Sequence, residues 1–220
     1  MTARVSPAEV ISIFGPGIGP ASAVATTPTN GFYPKTVNGV QVTINGTQMP
    51  LLYVSANQIN AVVPMGIATG AGAVVRVTNG TTTSPDYPVW IVDSAPQAFP
   101  AVLNQDGTVN SSSNPAKGGS IVTFYATGWQ SSFAGLADGQ VATTAQDACG
   151  GDCQVLSLSV DLPGSVVLYG GAAPGIVAGV TQFNVRLGTL PKSEGTQSET
   201  LSLIGPAGLF ALGQTVWVTP

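Results

Sequence analysis

The sequence predicts an all-β chain built as two tandem immunoglobulin-like β-sandwich domains, and three observations predict it. The first is internal repetition. Ile13-Phe14-Gly15-Pro16-Gly17 returns as Phe124-Tyr125-Ala126-Thr127-Gly128, Leu51-Leu52-Tyr53 as Val167-Leu168-Tyr169, and Gln58-Ile59-Asn60-Ala61-Val62 as Gln182-Phe183-Asn184-Val185-Arg186. Motifs that recur in one order mark a duplicated structural unit. The second is a run of short Val/Ile/Thr segments bounded by Asn-Gly, Gly or Pro, about seven per copy, which is the grammar of a sandwich. The third is length: 220 residues give each copy roughly 100, enough for a sandwich core.

Taken along the chain, Val40-Gln41-Val42-Thr43-Ile44 alternates and ends at Asn45-Gly46, a two-residue hairpin signal because both central positions of such a turn need positive φ. Leu51 to Val54 is the expected returning strand. Ala73 to Thr78 alternates and ends at Asn79-Gly80, and Val89-Trp90-Ile91-Val92 closes the first copy. The second copy opens with Ser120 to Tyr125, alternates from Val155 to Asp161, turns at Pro163-Gly164 and returns through Val166 to Tyr169. It continues with Gln182 to Leu187 and Glu199 to Ile204, and closes with Val216-Trp217-Val218. This gives a first domain over 1–96, a linker over 97–118 and a second domain over 119–220. The linker carries Phe99, Val102 and Leu103 among its Pro, Gly and Ser, so it is expected to lie against a domain face. The second copy is longer between Tyr169 and Gln182 than the first is between Tyr53 and Gln58, with the extra residues inside 170–179. Insertions between sandwich strands map to loops, and loops carry recognition more often than the scaffold does.

Composition excludes several functions. Charged residues are 7% of the chain, the net charge is -4 and histidine is absent. Six basic residues scattered over the chain cannot form the positive footprint that phosphate backbones need, so nucleic acid is excluded as a partner. No apolar run reaches the ~18 residues of a spanning helix, and membrane insertion is not expected. Without histidine a Ser-His-Asp triad cannot be built, and the carboxylates show no acid/base pair for a two-carboxylate hydrolysis. With ten acidic groups and no histidine, stability is expected to change little between about pH 4 and 8. The start, Met1 to Pro7, has no apolar signal core. The chain is therefore cytosolic or has lost its leader, and the low-charge, Thr- and Gly-rich composition favours the second, an extracellular or cell-surface location.

Cys149 and Cys153 flank Gly150-Gly151-Asp152. A local disulfide is the preferred reading and suits an oxidising compartment. Two sulfurs with no histidine cannot complete a zinc tetrahedron, and a redox pair has the Cys-x-x-Cys spacing.

The opening Ser6-Pro7 with Ile11 to Pro20, the stretch Leu51-Leu52-Tyr53-Val54-Ser55-Ala56-Asn57-Gln58-Ile59-Asn60-Ala61-Val62-Val63-Pro64, and Leu103-Asn104-Gln105-Asp106-Gly107-Thr108-Val109-Asn110 together resemble the Solibacter-type carboxy-terminal domain of secreted Acidobacteria proteins. Asn114-Pro115-Ala116, Tyr125-Ala126-Thr127-Gly128, Ala173-Pro174-Gly175 and Gln182 to Val185 extend the resemblance over nearly the whole chain. It implies an extracellular two-part β-sandwich unit appended to larger surface or secreted proteins, and no catalytic residues. Trp129 and the Cys149–Cys153 loop depart from the family pattern.

Few side chains stand out as sites. Gln58 and Asn60, repeated as Gln182 and Asn184, each sit two apart on a strand and so share one face. Because both copies carry the pair, it is read as structural, satisfying loop backbone groups, rather than as a ligand ladder. Asn104, Asp106 and Asn110 resemble part of a calcium loop but lack its helices and closing glutamate; an Asp-Gly turn is the better reading, and no metal or cofactor is expected. Trp90 and Trp217 lie inside strand patterns and are read as core or interdomain packing. Trp129 and Phe133 lie in a Gly/Ser-rich stretch and are the candidate ligand-binding aromatics. Asn45, Asn79 and Asn110 each begin an Asn-x-Ser/Thr sequon. The expected function is a non-enzymatic structural or adhesion module whose partner is itself, as a homo-oligomer or filament, or another surface protein. The alternative is a carbohydrate-binding module for glycans.

Overall fold

The computed structural model describes residues 2–129, 135–147, 157–160, 162–204 and 211–220. Every regular element among them is a strand. In chain order these are β1 (Ala3–Val5), β2 (Val10–Phe14), β3 (Val24–Ala25), β4 (Val40–Ile44), β5 (Thr47–Gln48), β6 (Leu51–Val54), β7 (Gln58–Val62), β8 (Gly70–Asn79), β9 (Thr82–Thr83) and β10 (Tyr87–Ile91). They continue with β11 (Gln97–Leu103), β12 (Ala116–Lys117), β13 (Ile121–Thr127), β14 (Gln146–Asp147), β15 (Ser157–Val160), β16 (Val166–Ala172), β17 (Val180–Arg186), β18 (Gln197–Ile204) and β19 (Ala211–Thr219).

The chain divides into two compact units. Unit 1 holds residues 1–95, 127–145 and 173–180; unit 2 holds 96–126, 146–172 and 181–220. Of the insertion within 170–179, expected as a loop, residues 170–172 end β16 of unit 2 and residues 173–179 belong to unit 1, where Ala173, Val177 and Ala178 are buried. Its small residues are what let it pack. Gln97–Leu103, read from sequence as part of a linker, is strand β11 of unit 2.

Unit 1 pairs a sheet of order β1-β10-β8-β4-β5, with β9 on β8, with a second of order β2-β7-β6-β3. The alternating residues predict which faces meet. Val40, Val42 and Ile44 of β4 and Ala73, Val75 and Val77 of β8 are buried together with Leu51 and Val54 of β6 and Ile59 and Ala61 of β7 in one core cluster. Ile11 and Ile13 of β2 pack against it. This is the face-to-face sandwich. The Asn45-Gly46 hairpin forms as predicted, with both φ positive and Ile44 opposite Thr47. The returning strand, however, is the short β5, and β6 crosses to the other sheet.

Unit 2 repeats the plan. Its sheets run β12-β19-β18-β15 and β11-β13-β17-β16-β14. In each unit a short early strand lies parallel to the last, β1 on β10 and β12 on β19. In each unit the strand before the repeated Gln-x-Asn has a bulge that sets its tyrosine opposite the asparagine, Tyr53 with Asn60 and Tyr169 with Asn184. Val122, Phe124 and Ala126 of β13 and Phe183 and Val185 of β17 are buried, and the two phenyl rings stack at 5.2 Å. Among the described residues, β11 of unit 2 lies beside β13, whereas the counterpart of β13 in unit 1, β2, has β7 as its one strand neighbour.

Candidate functional site

The repeated Gln-x-Asn lies on the outer face of one sheet in each unit. Gln58 Nε2 donates to Asn60 Oδ1 at 2.9 Å, and Ser12 Oγ of β2 donates to the same oxygen at 3.0 Å. Gln182 Nε2 donates to Asn184 Oδ1 at 2.9 Å, and Thr123 Oγ1 of β13 donates to it at 3.0 Å. The amides thus bond to each other and to a hydroxyl on the neighbouring strand, not to loop backbone. Each asparagine oxygen accepts twice, which ties two adjacent strands of its sheet.

Beside this cluster in unit 1 stands Phe14, at the end of β2 and 72% exposed. Its counterpart Tyr125 is half-buried in unit 2. Residues 10–34 carry no charged side chain. On the other sheet of unit 1, Trp90 is 51% and Tyr87 57% exposed. Trp90 is expected from its strand pattern in the core or in interdomain packing, and its exposure excludes the core. It sits between buried Val89 and Ile91, and the period of two turns its ring to the outer face, where β1 sets Arg4 opposite it. Trp217 is half-buried, and its backbone N–H donates to Asn110 Oδ1.

Trp129, the expected exposed platform, is instead only 5% exposed. The cause is local. Gly128 turns the chain at φ 80, and its carbonyl accepts from Ser6 Oγ, Ser94 Oγ and Ala95 N, so the segment is drawn into unit 1 and the indole is buried with it. Phe133, Cys149 and Cys153 lie outside the described residues.

The Ser6-Pro7-Ala8-Glu9 segment holds a buried carboxyl that the sequence reading passed over. Glu9 is 6% exposed, and its Oε2 accepts from Ser6 N at 2.7 Å. Burial outweighs the hydrogen bonds from Ser6 and lifts its pKa from the ordinary 4.5 to about 7. A carboxyl raised in this way runs against the expectation of flat stability between about pH 4 and 8. Next to it, Val10 N donates to Thr127 Oγ1 at 2.7 Å, and Thr127 Oγ1 donates to Gly179 O at 2.6 Å.

The Asn104–Asn110 turn uses its own polar groups. Asp106 Oδ1 accepts from Thr108 N and Thr108 Oγ1, and these bonds lower its pKa. Asn110 Nδ2 donates to Asn104 Oδ1 and to Trp217 O, which staples the turn to β19. Among the described residues, no group of three or more Asp, Glu, Cys or His is placed to hold a metal ion. A cleft of about 410 Å³ beside this turn is lined by Asp106 and Lys117 as its charged residues, and one of about 360 Å³ in unit 1, between Ile18, Val77 and Pro85, has none. Of the sequons, Asn79 Nδ2 donates to Gly17 O and Asn110 is committed as above, whereas Asn45 is exposed on its hairpin and accepts from Val74 N through Oδ1. No described helix is long and apolar enough to cross a membrane.

No protein-family model matches the chain, and no curated protein matches it. Among solved structures it is similar to an endo-fucoidan hydrolase from glycoside hydrolase family 107, at 14% identity and TM-score 0.24, over 83% of this chain and 23% of that one. It is similar to the C-terminal domain of the Streptococcus agalactiae AgI/II polypeptide BspA, at 14% identity and TM-score 0.28, over 100% of this chain and 95% of that one. It is also similar to tandem immunoglobulin domains of titin, at 7% identity and TM-score 0.24, over 100% and 92% of the two chains.

Proposed function

We propose that this chain is a non-enzymatic extracellular structural or adhesion module that works through its outer faces and associates with copies of itself at a cell surface. The observation that carries this reading is where its large rings sit. Phe14 and Trp90 stand on outer faces of unit 1, and Tyr87 at the start of β10, each at more than half exposure, in a chain of which only 7% is charged. Exposed apolar groups of this kind mark contact surfaces, and a surface with few charges lacks the repulsion that keeps proteins apart. The resemblance of the motifs to a secreted carboxy-terminal domain supports the extracellular placement. Light scattering of the intact chain over a hundredfold range of concentration tests the reading. Particle mass that rises with concentration is expected; a single monomeric mass throughout would remove self-association.

A second reading, carbohydrate binding, has Trp90 rather than Trp129 as its stacking ring, because Trp90 is exposed and faces out beside the glycine-rich start of β8. A glycan array on which Trp90→Ala abolishes a signal would favour it over the first.

A further inference from the structure

We infer that β2 is a docking edge for a second copy of this chain, whose own β2 adds antiparallel to it across a two-fold axis. This rests on the self-association proposed above and names the surface responsible.

The strand's hydrogen bonding fixes which way its free groups face. In the antiparallel pair with β7, Ile11 stands opposite Ala61 and Ile13 opposite Ile59. Val63 N donates to Glu9 O and Gly15 N to Asn57 O, so the odd-numbered residues turn their main chain toward β7. By the alternation of antiparallel ladders, the main-chain groups of Val10, Ser12 and Phe14 then point away from the sheet. Val10 N is taken by Thr127 Oγ1. Among the described residues, the N–H and C=O of Ser12 and of Phe14, and the C=O of Val10, have no partner.

Unit 2 shows that this strand position takes a neighbour. There the counterpart β13 is flanked on one side by β17 and on the other by β11. Phe14's equivalent, Tyr125, is half-buried in that setting, while Phe14 itself is 72% exposed. The β2 edge also lacks the usual protections. It has no lysine, no proline and no bulge along Val10–Phe14, although natural edge strands are commonly blunted by such devices.

A second β2 fits this edge by symmetry. An isologous contact needs a surface that complements itself. With the axis at Ile13, Ser12 of one copy faces Phe14 of the other, and four N–H···O bonds form from the open donors and acceptors of these two residues. Each Phe14 ring covers the partner's Ser12. No like charges meet, because residues 10–34 of either copy carry none.

The test is sedimentation equilibrium of the intact chain, with amide hydrogen exchange on the same samples. For the unmodified protein the weight-average mass is expected to rise with concentration, and the amides of Ser12 and Phe14 to become protected as it does. Ser12→Pro removes the outward N–H and leaves the main-chain bonds to β7 in place, at a position where proline is tolerated on an edge. It also removes the hydroxyl's bond to Asn60, so Ser12→Ala, which loses that bond alone, is its control. Phe14→Lys adds the charge that natural edges use. Each is expected to weaken association by about tenfold or more, roughly the loss of 1.4 kcal/mol. If Ser12→Pro fails to fold, Phe14→Lys carries the comparison. Association that persists undiminished in Phe14→Lys, or Ser12 and Phe14 amides whose exchange ignores concentration, would overturn the edge while leaving self-association standing. A monomer at every concentration would overturn both.

Discussion

Asn60 and Asn184 hold one hydrogen-bond arrangement at equivalent places in two sheets: each Oδ1 accepts from the glutamine two residues earlier and from a hydroxyl of the adjoining strand. A duplicated main-chain plan explains why three side chains from two neighbouring strands converge twice on one geometry. Replacing either asparagine by alanine leaves two donors without an acceptor. The expected cost is on the order of 1–2 kcal/mol for Asn184→Ala, and less for Asn60→Ala, because Ser12 is exposed to water and Thr123 is half-buried. Asn→Asp at either position keeps both bonds. Thermal unfolding of the three kinds of variant checks the order.

Stability should fall with rising pH because of Glu9. Its folded pKa, about 7, lies above the ordinary 4.5. The folded state therefore holds a proton that the unfolded state has released, and stability is lost as pH rises from about 4.5 through 7. The loss is on the order of 3 kcal/mol between these limits. Urea denaturation at pH 5 and pH 8 should show it, and Glu9→Gln should abolish the difference, since the Gln oxygen still accepts from Ser6 N. Equal stabilities at the two pH values in the unmodified protein would refute the assignment.

Gly179 tests the packing of residues 173–180 in unit 1. It has φ 130, and a Cβ there would come within 2.7 Å of the Ala8 carbonyl oxygen. Gly179→Ala should cost about 2 kcal/mol or more, through both backbone strain and overlap. Gly175→Ala is the control. It shares a positive φ but meets open space, so only about 1 kcal/mol is expected from the backbone. Chemical denaturation of the pair separates the two effects.

The two indoles should behave oppositely. Trp129→Ala removes a buried ring and is expected to cost about 3–5 kcal/mol. Trp90→Ala removes an outward ring and should cost far less. Melting temperatures settle this directly, and a Trp129→Ala protein as stable as its parent would contradict the burial described above.

These indoles also show how far the sequence could be read. The alternation of Val40 to Ile44 displays its buried face openly, and the repeats locate equivalent strands in both units. Trp90 lies in Val89-Trp90-Ile91, where every residue is apolar, so parity is invisible and the ring's direction depends on which neighbours the core takes. Trp129 reads as loop because Gly and Ser surround it. What buries it is the carbonyl of Gly128, held by serines 122 and 34 positions away, and no local pattern reports contacts at that distance. The insertion within 170–179 misleads for a related reason: glycine, alanine and proline suggest a loop, yet the same small side chains permit close packing. Glu9 follows Pro7 and Ala8 without any sign of burial. The missing neighbour of β2 becomes visible only when the strand orders of the two units are set side by side.

If copies of this molecule associate as proposed, electron microscopy of the purified protein at neutral pH, over rising concentration, should show it. Ordered assemblies in which unit 1 of one copy abuts unit 1 of another along β2 are expected. Isolated single chains at every concentration would contradict the proposed association.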